Sequence, residues 1–164
     1  MNKIIIIPDV HGRSFWKKIK HIKDTPIIFL GDYLDPYGRE GISNEKAIEN
    51  FKEIIEFAKE NSNVVLLYGN HCVYSYNNVL DHMYYSSRYD YNHAVEAFKL
   101  YDENRELFKY AHQIDNILFT HAGVTTKWIH AMELEGIVNE ENIAHYLNTY
   151  GNESNMFLPG MYRG

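Results

Sequence analysis

Cysteine is almost absent from this chain. Cys72 is the single thiol in 164 residues, so no intrachain disulfide can form, and a reducing compartment fits. Long apolar runs are missing too. The N-terminus offers only the isoleucines at positions 4–7, too few for a signal-peptide core and far too few for a membrane span. Together these gaps lead us to expect a cytoplasmic protein with no membrane partner. Basic charge is also scarce. The net charge is −6, which removes any general attraction for the nucleic-acid backbone. Cations held in a site would reverse that sign locally, so nucleic acid is disfavoured as a partner without being excluded. No repeat, low-complexity tract or linker divides the chain. One domain spanning 1–164 is therefore expected, and a chain of this length buries about two-thirds of its unfolded surface.

What the chain does have is a series of short, β-branched apolar runs, each followed by polar residues. Ile4-Ile5-Ile6-Ile7 precedes Asp9-Val10-His11-Gly12. Ile27-Ile28-Phe29-Leu30 precedes Gly31-Asp32-Tyr33-Leu34-Asp35. Val64-Val65-Leu66-Leu67 precedes Gly69-Asn70-His71, and Ile117-Leu118-Phe119 precedes Thr120-His121-Ala122-Gly123. Such runs read as buried strands of a parallel sheet. Strand ends that all carry carboxylate, imidazole or amide groups make a convergent polar site, since open α/β sheets bind ligands at the carboxyl ends of their strands.

Helical patterns fall between the runs. Ser14 is a plausible cap for a helix bearing Phe15, Ile19 and Ile22 on one face. Pro36, Gly38 and Gly41 mark a loop over 36–42. Ser43 caps a long helix whose apolar face is Ala47, Ile48, Phe51, Ile54, Ile55 and Ala58. The stretch 73–112 is helical in character and clearest over 94–101, and further helices are expected over 125–134 and from Asn139 to Gly151. The alternation argues for an α/β fold with a largely parallel sheet and right-handed crossovers. Six of the 14 tyrosines lie between Tyr74 and Tyr91. They fit either an aromatic surface packed on the core or a cap at the mouth of the site.

The candidate site residues each have a plainer alternative. Asp9 and His11 are two apart, so on an extended strand both side chains reach the same side and one metal ion; a strand-end Asp can equally cap a helix. Asp32 has two oxygens and can bridge two cations, or simply serve a turn. Gly69-Asn70 is also an ordinary turn pair. His21, His82, His93, His112, His130 and His145 fall on expected helices or loops and read as surface or satisfied interior residues. Cys72 reads as a small packing residue.

Taken together, in this order and spacing, the motifs resemble those of the calcineurin-like metallophosphoesterases: D-x-H, G-D-x-x-D, G-N-H and H-x-G. The resemblance implies a metallophosphatase-type α/β sandwich and hydrolysis of phosphate esters or anhydrides by a metal-activated water. It makes Asp9 and His11 ligands of a first metal, Asp32 the bridge, and Asn70 and His121 ligands of a second. His71 would protonate the leaving oxygen and Asp35 would orient it. The cofactors would be two divalent ions, Mn, Fe or Zn. The spacing looks nearest to the serine/threonine phosphoprotein phosphatase and dinucleoside-polyphosphate hydrolase branch, so the substrate would be a phosphorylated protein or a small phosphate compound.

The pattern is not complete. The family's late G-H motif has no counterpart, because no Gly-His dipeptide occurs in the sequence. The chain resembles the family domain with its C-terminal portion missing, and an uncovered sheet would favour self-association. The phosphate-binding arginine of the phosphoprotein phosphatase motif is also displaced. Arg39, in Pro36-Tyr37-Gly38-Arg39, is the candidate for its role, with a solvated loop arginine as the alternative; Arg163, in Arg163-Gly164, resembles a later arginine of that branch that grips phosphate, and Arg13 reads as serving a turn or the surface. Two other functions fit the same residues: a phosphodiesterase or nuclease on this scaffold, and a metal-binding fragment with little catalysis.

Overall fold

The computed structural model describes residues 3–72, 91–131 and 136–150. Four short strands form a parallel sheet in chain order: β1 (Ile5–Ile7), β2 (Ile27–Phe29), β3 (Val64–Leu67) and β4 (Phe108–Lys109). Right-handed crossovers in a sheet of sequential order put every connection on one face. That face is covered by α1 (Asn44–Glu60) and α2 (Tyr91–Glu103), with Trp16 from the 3-10 turn Phe15–Ile19. Ser43 caps α1 as expected, its hydroxyl accepting from the Lys46 N–H.

Strand alternation sorts the side chains. Ile5, Ile7, Ile27, Phe29, Val64 and Leu66 point to the helix side and join Phe51, Ile54, Tyr101 and Phe108 in the main core. Ile4, Ile28, Leu30, Val65 and Leu67 point the other way and meet Ile114 and Phe119. Those two residues belong to a hairpin of β5 (Ala111–Ile114) and β6 (Ile117–Thr120). Its outer side packs Ala111 and Leu118 against Trp128 of α3 (Thr126–Ala131) and Leu147 of α4 (Ile143–Tyr150). The layers are therefore helix, parallel sheet, hairpin, helix: an α/β sandwich of the metallophosphatase type.

Three expectations need correcting. The strand that ends at His121 does not join the parallel sheet. Asp115-Asn116 forms a two-residue turn, with Ile114 facing Ile117 and Asp115 at φ 51°, and this turns the chain back on itself as an antiparallel hairpin. The stretch 73–112 is not helical to its end, since β4 and the first half of β5 lie within it. The helix after Ser14 is a single 3-10 turn without a side-chain cap bond. It is set by Trp16, fully buried, whose Nε1–H donates to Asn50 Oδ1 at 3.1 Å. The tyrosine cluster over 74–91 lies outside the described side chains. No helix among the described residues is long and apolar enough to cross a membrane.

Candidate metal centre

Two loops that touch backbone to backbone build the centre. Gly31 stands at φ 115°, and a Cβ added there would come within 2.5 Å of the Gly69 nitrogen. A Cβ on Gly69 would lie 2.2 Å from Asp32 Oδ1. Only glycine lets the ends of β2 and β3 approach this closely. The loop after β1 is clamped to the same place: the N–H groups of Val10 and His11 both donate to Asp32 O, at 3.1 and 2.7 Å, and Gly12 N–H donates to Tyr33 O at 2.8 Å. Gly69→Ala should therefore push the Asp32 carboxylate aside. We expect a loss of about 1–3 kcal/mol in denaturant unfolding, typical of overpacking, together with lost metal affinity. Parent-like metal content in Gly69→Ala would show that the contact yields.

Asp9, His11 and Asp32 bring one ligand atom each to within 4.8 Å of one another. The convergence does not come from strand alternation, because β1 stops at Ile7 and His11 sits in the left-handed region at φ 45°. The turn, and not the strand, aims the imidazole. His11 Nδ1 donates to the carbonyls of Leu34 and Asp35 at 2.9 and 3.1 Å. A carbonyl can only accept, so Nδ1 carries the proton and Nε2 presents a lone pair. His121 repeats the device: Nδ1 donates to Leu30 O at 2.9 Å, which leaves Nε2 as the lone-pair atom. That Nε2 lies 2.8 Å from Asn70 Oδ1. Such a pair is satisfied by a shared cation, by an added proton, or by a half-turn of the Asn70 amide that presents its NH₂ to the lone pair.

Asp32 joins the two groups. Its Oδ1 accepts the His71 N–H at 2.9 Å. Its Oδ2 faces both imidazoles, 3.9 Å from His11 Nε2 and 3.6 Å from His121 Nε2. Asp32 and His11 are buried, whereas Asp9 is half exposed at the rim, 3.9 Å from His121 Nδ1. Beside this cluster His71 Nδ1 pairs with Asp35 Oδ2 at 2.6 Å; the Asp35 side chain is 2% exposed and that of His71 19%. The His71 ring stands edge-on to His11 with 5.3 Å between centroids.

A family model of calcineurin-like phosphoesterases matches residues 2–155, nearly the whole chain. The chain belongs to that family. No match is found among curated proteins, nor among solved structures. The family is one of phosphoesterase hydrolases and typically binds divalent metals, and the Asp9–His11–Asp32 group is a candidate metal site in this phosphoesterase. Its donor set suits such ions: carboxylate oxygens with neutral imidazole nitrogens whose far sides are fixed by backbone carbonyls.

Among the described residues, no other histidine joins the Asp9–His11–Asp32 group. His93 pairs with Glu45 of α1 at 3.0 Å, and partial burial beside Lys109 lowers the His112 pKa. His82 and Arg163 lie outside the described residues. Cys72 is buried, and loss of solvation pushes its thiol up to about 12, so it stays neutral and unreactive at ordinary pH. Sequence reasoning missed Tyr37, whose ring stands against His11 with 4.9 Å between centroids. It also left Arg13 to the surface, where it forms a two-pronged bond to Glu40, both contacts at 2.7 Å. A tyrosine two residues beyond Asp35 carried no periodic signal by which to find it.

Proposed function

We propose that this phosphoesterase hydrolyses phosphate monoesters or anhydrides at a pair of divalent cations, in the manner of the phosphoprotein phosphatase and dinucleoside-polyphosphate hydrolase branch. The observation that carries the reading is the position of Asp32 Oδ2 between the Nε2 atoms of His11 and His121. Asp9, His11 and Asp32 would hold one ion; Asp32, Asn70 and His121 would hold the other. Bound there, the cations would supply charge against the phosphoryl oxygens and a water of lowered pKa. The chain's own part is positional and protolytic. His11 and His121 keep their ligand nitrogens aimed through backbone bonds, and Asp32 fixes the spacing of the two sets. His71 Nδ1 is held by Asp35, which turns Nε2 toward the centre, where its N–H would donate to a departing alkoxide. The substrate is a phosphorylated protein or a small phosphate ester.

The two ion sites are unequal. The first has two carboxylates, while the second shares one of them and adds only a neutral amide and an imidazole. Calorimetric titration with Mn²⁺ should show one tight event and a second at least about tenfold weaker, comparable to what loss of a supporting group costs in other metal sites. Hydrolysis of p-nitrophenyl phosphate should appear only as the weaker site fills, and bis-p-nitrophenyl phosphate should react more slowly. Two equally tight events would refute the ranking. Two bound ions with no turnover of either ester would favour a metal-binding role over catalysis, and faster diester cleavage would favour a phosphodiesterase.

A further inference from the structure

The loop after Asp35 carries two charged groups and one ring, and with Arg13 from the loop after β1 their pairing is uneven. Tyr37 stands against His11, at the edge of the centre. Two guanidinium groups lie over its ring, that of Arg13 at 5.5 Å and that of Arg39 at 5.3 Å. Both carboxylate oxygens of Glu40 go to Arg13, at 2.7 Å each, and Arg13 also donates to Asp9 O at 3.3 Å. This pairing holds the Arg13 pKa up and the Glu40 pKa down. Glu40 is the immediate neighbour of Arg39 and its natural counter-ion, yet its oxygens are already engaged. Among the described residues no hydrogen bond or ion pair holds the Arg39 guanidinium. It is exposed, and its contact with the Tyr37 face orients it without neutralising it. A cation is thus kept on the same ring that His11 touches, in a chain of net charge −6.

We infer that Arg39 is a specificity-determining residue that receives a second anionic group of the substrate, beyond the phosphate at the metal centre. The substrate class is then a small phosphate ester carrying a further phosphate, not a simple monoester. Geometry supports this division. The Arg39 guanidinium and the His11 ring both contact Tyr37, at 5.3 and 4.9 Å from its ring centroid, so a molecule whose phosphate lies beside His11 can carry a second anion to Arg39. A guanidinium on a phosphate is a charge-assisted, two-pronged bond and strong for an exposed pair.

The inference rests on the phosphoesterase reading of the site, and equilibrium binding tests it separately from turnover. Binding of fructose 1,6-bisphosphate and fructose 6-phosphate to the Mn²⁺-loaded full chain would be measured for the parent, Arg39→Gln and Arg39→Lys. In the parent the bisphosphate should bind about tenfold more tightly, as a charged hydrogen-bonded contact allows. Arg39→Gln should erase that preference, leave monophosphate affinity unchanged, and be partly rescued by Lys. Equal weakening for both ligands would place Arg39 on the reacting phosphate, and no change for either would make it a solvated loop residue; both overturn the proposal. A phosphoserine peptide with flanking aspartates forms a third arm. If it alone shows the Arg39-dependent gain, the second anion belongs to an acidic peptide and the small-ester class is wrong. Absence of turnover with an intact Arg39-dependent preference would count against the catalytic reading alone.

Discussion

On the proposed two-cation reading, Asp32→Asn should leave the protein folded and strip it of both ions. Asp32 stands at φ 49°, a region that asparagine tolerates better than almost any residue but glycine, so the turn survives the substitution. The new carboxamide has one accepting and one donating end. The His71 N–H, 2.9 Å from Oδ1, requires an acceptor and so selects the orientation with the carbonyl oxygen in that place. The amide NH₂ then occupies the Oδ2 position, 3.9 Å from His11 Nε2 and 3.6 Å from His121 Nε2. A donor where the two ligand sets meet offers no lone pair to either ion. Metal affinity should fall by about 100-fold or more, beyond what loss of a merely supporting group costs. Elemental analysis should find background Mn in the variant, while its metal-free thermal midpoint matches the parent's or exceeds it, because a buried carboxylate among ligand groups has been neutralised. Full metal content would remove Asp32 from the bridge. A lowered midpoint would show that the carboxylate serves the fold.

Backbone strain marks the same place. Of the four non-glycine residues at positive φ among the described residues, three are His11, Asp32 and Asp35, at 45°, 49° and 66°. Each such residue costs on the order of 1–3 kcal/mol and persists only where its surroundings over-determine it. Here the surroundings are the backbone bonds from the β1 loop to Asp32 and Tyr33 and the glycine contact between the β2 and β3 loops. Left-handed turns, and not extended strand ends, aim these side chains into one volume.

The layout of strands was legible because burial on both faces leaves an unambiguous trace. Ile27 to Leu30 and Val64 to Leu67 alternate between two cores, as do Ile4, Ile5 and Ile7 while Ile6 stays half exposed, and both cores demand β-branched or apolar residues. The long helix was legible from Ser43 and a clean apolar stripe. The direction of β6 was missed, although its signal stood in the chain. Asp115-Asn116 between two four-residue runs is a hairpin turn, but it was overridden by the expectation that every strand ending in a site motif belongs to one parallel sheet. The grouping of Asp9, His11, Asp32, Asn70 and His121 was legible from order and spacing; the way they converge was not, since positive φ at His11 and the tautomer-setting carbonyls leave no mark on residue type. Tyr37 and the Arg13–Glu40 bond were illegible for another reason. They depend on how the loop over 36–42 folds back onto the first motif, a contact set by tertiary packing.

His71→Ala lowers turnover without lowering metal content, and the loss depends on the leaving group. His71 follows Asn70 directly, yet its ring is held apart by the 2.6 Å bond from Nδ1 to Asp35 Oδ2, which spends one nitrogen on a carboxylate. The remaining Nε2 is near the centre, as the edge-on contact with His11 shows, and the side chain is open enough for a substrate to reach. A group so placed can donate a proton to the departing oxygen, a service worth roughly 10²–10⁴-fold when that oxygen leaves as a poor leaving group. For phenyl phosphate, kcat of His71→Ala should fall within that range. For p-nitrophenyl phosphate the leaving oxygen needs little protonation, so the fall should be far smaller, and the slope of log kcat against leaving-group pKa should steepen. Asp35→Asn should shift the slope the same way but less, because the amide oxygen still accepts from Nδ1–H while its charge is gone; φ 66° at Asp35 tolerates the change. Mn content should equal the parent's in both variants. A metal-depleted His71→Ala protein would make His71 a ligand, and an equal loss for both esters would make it a group that positions the phosphate. Only an acid acting on the leaving oxygen predicts intact metal together with a leaving-group-dependent loss.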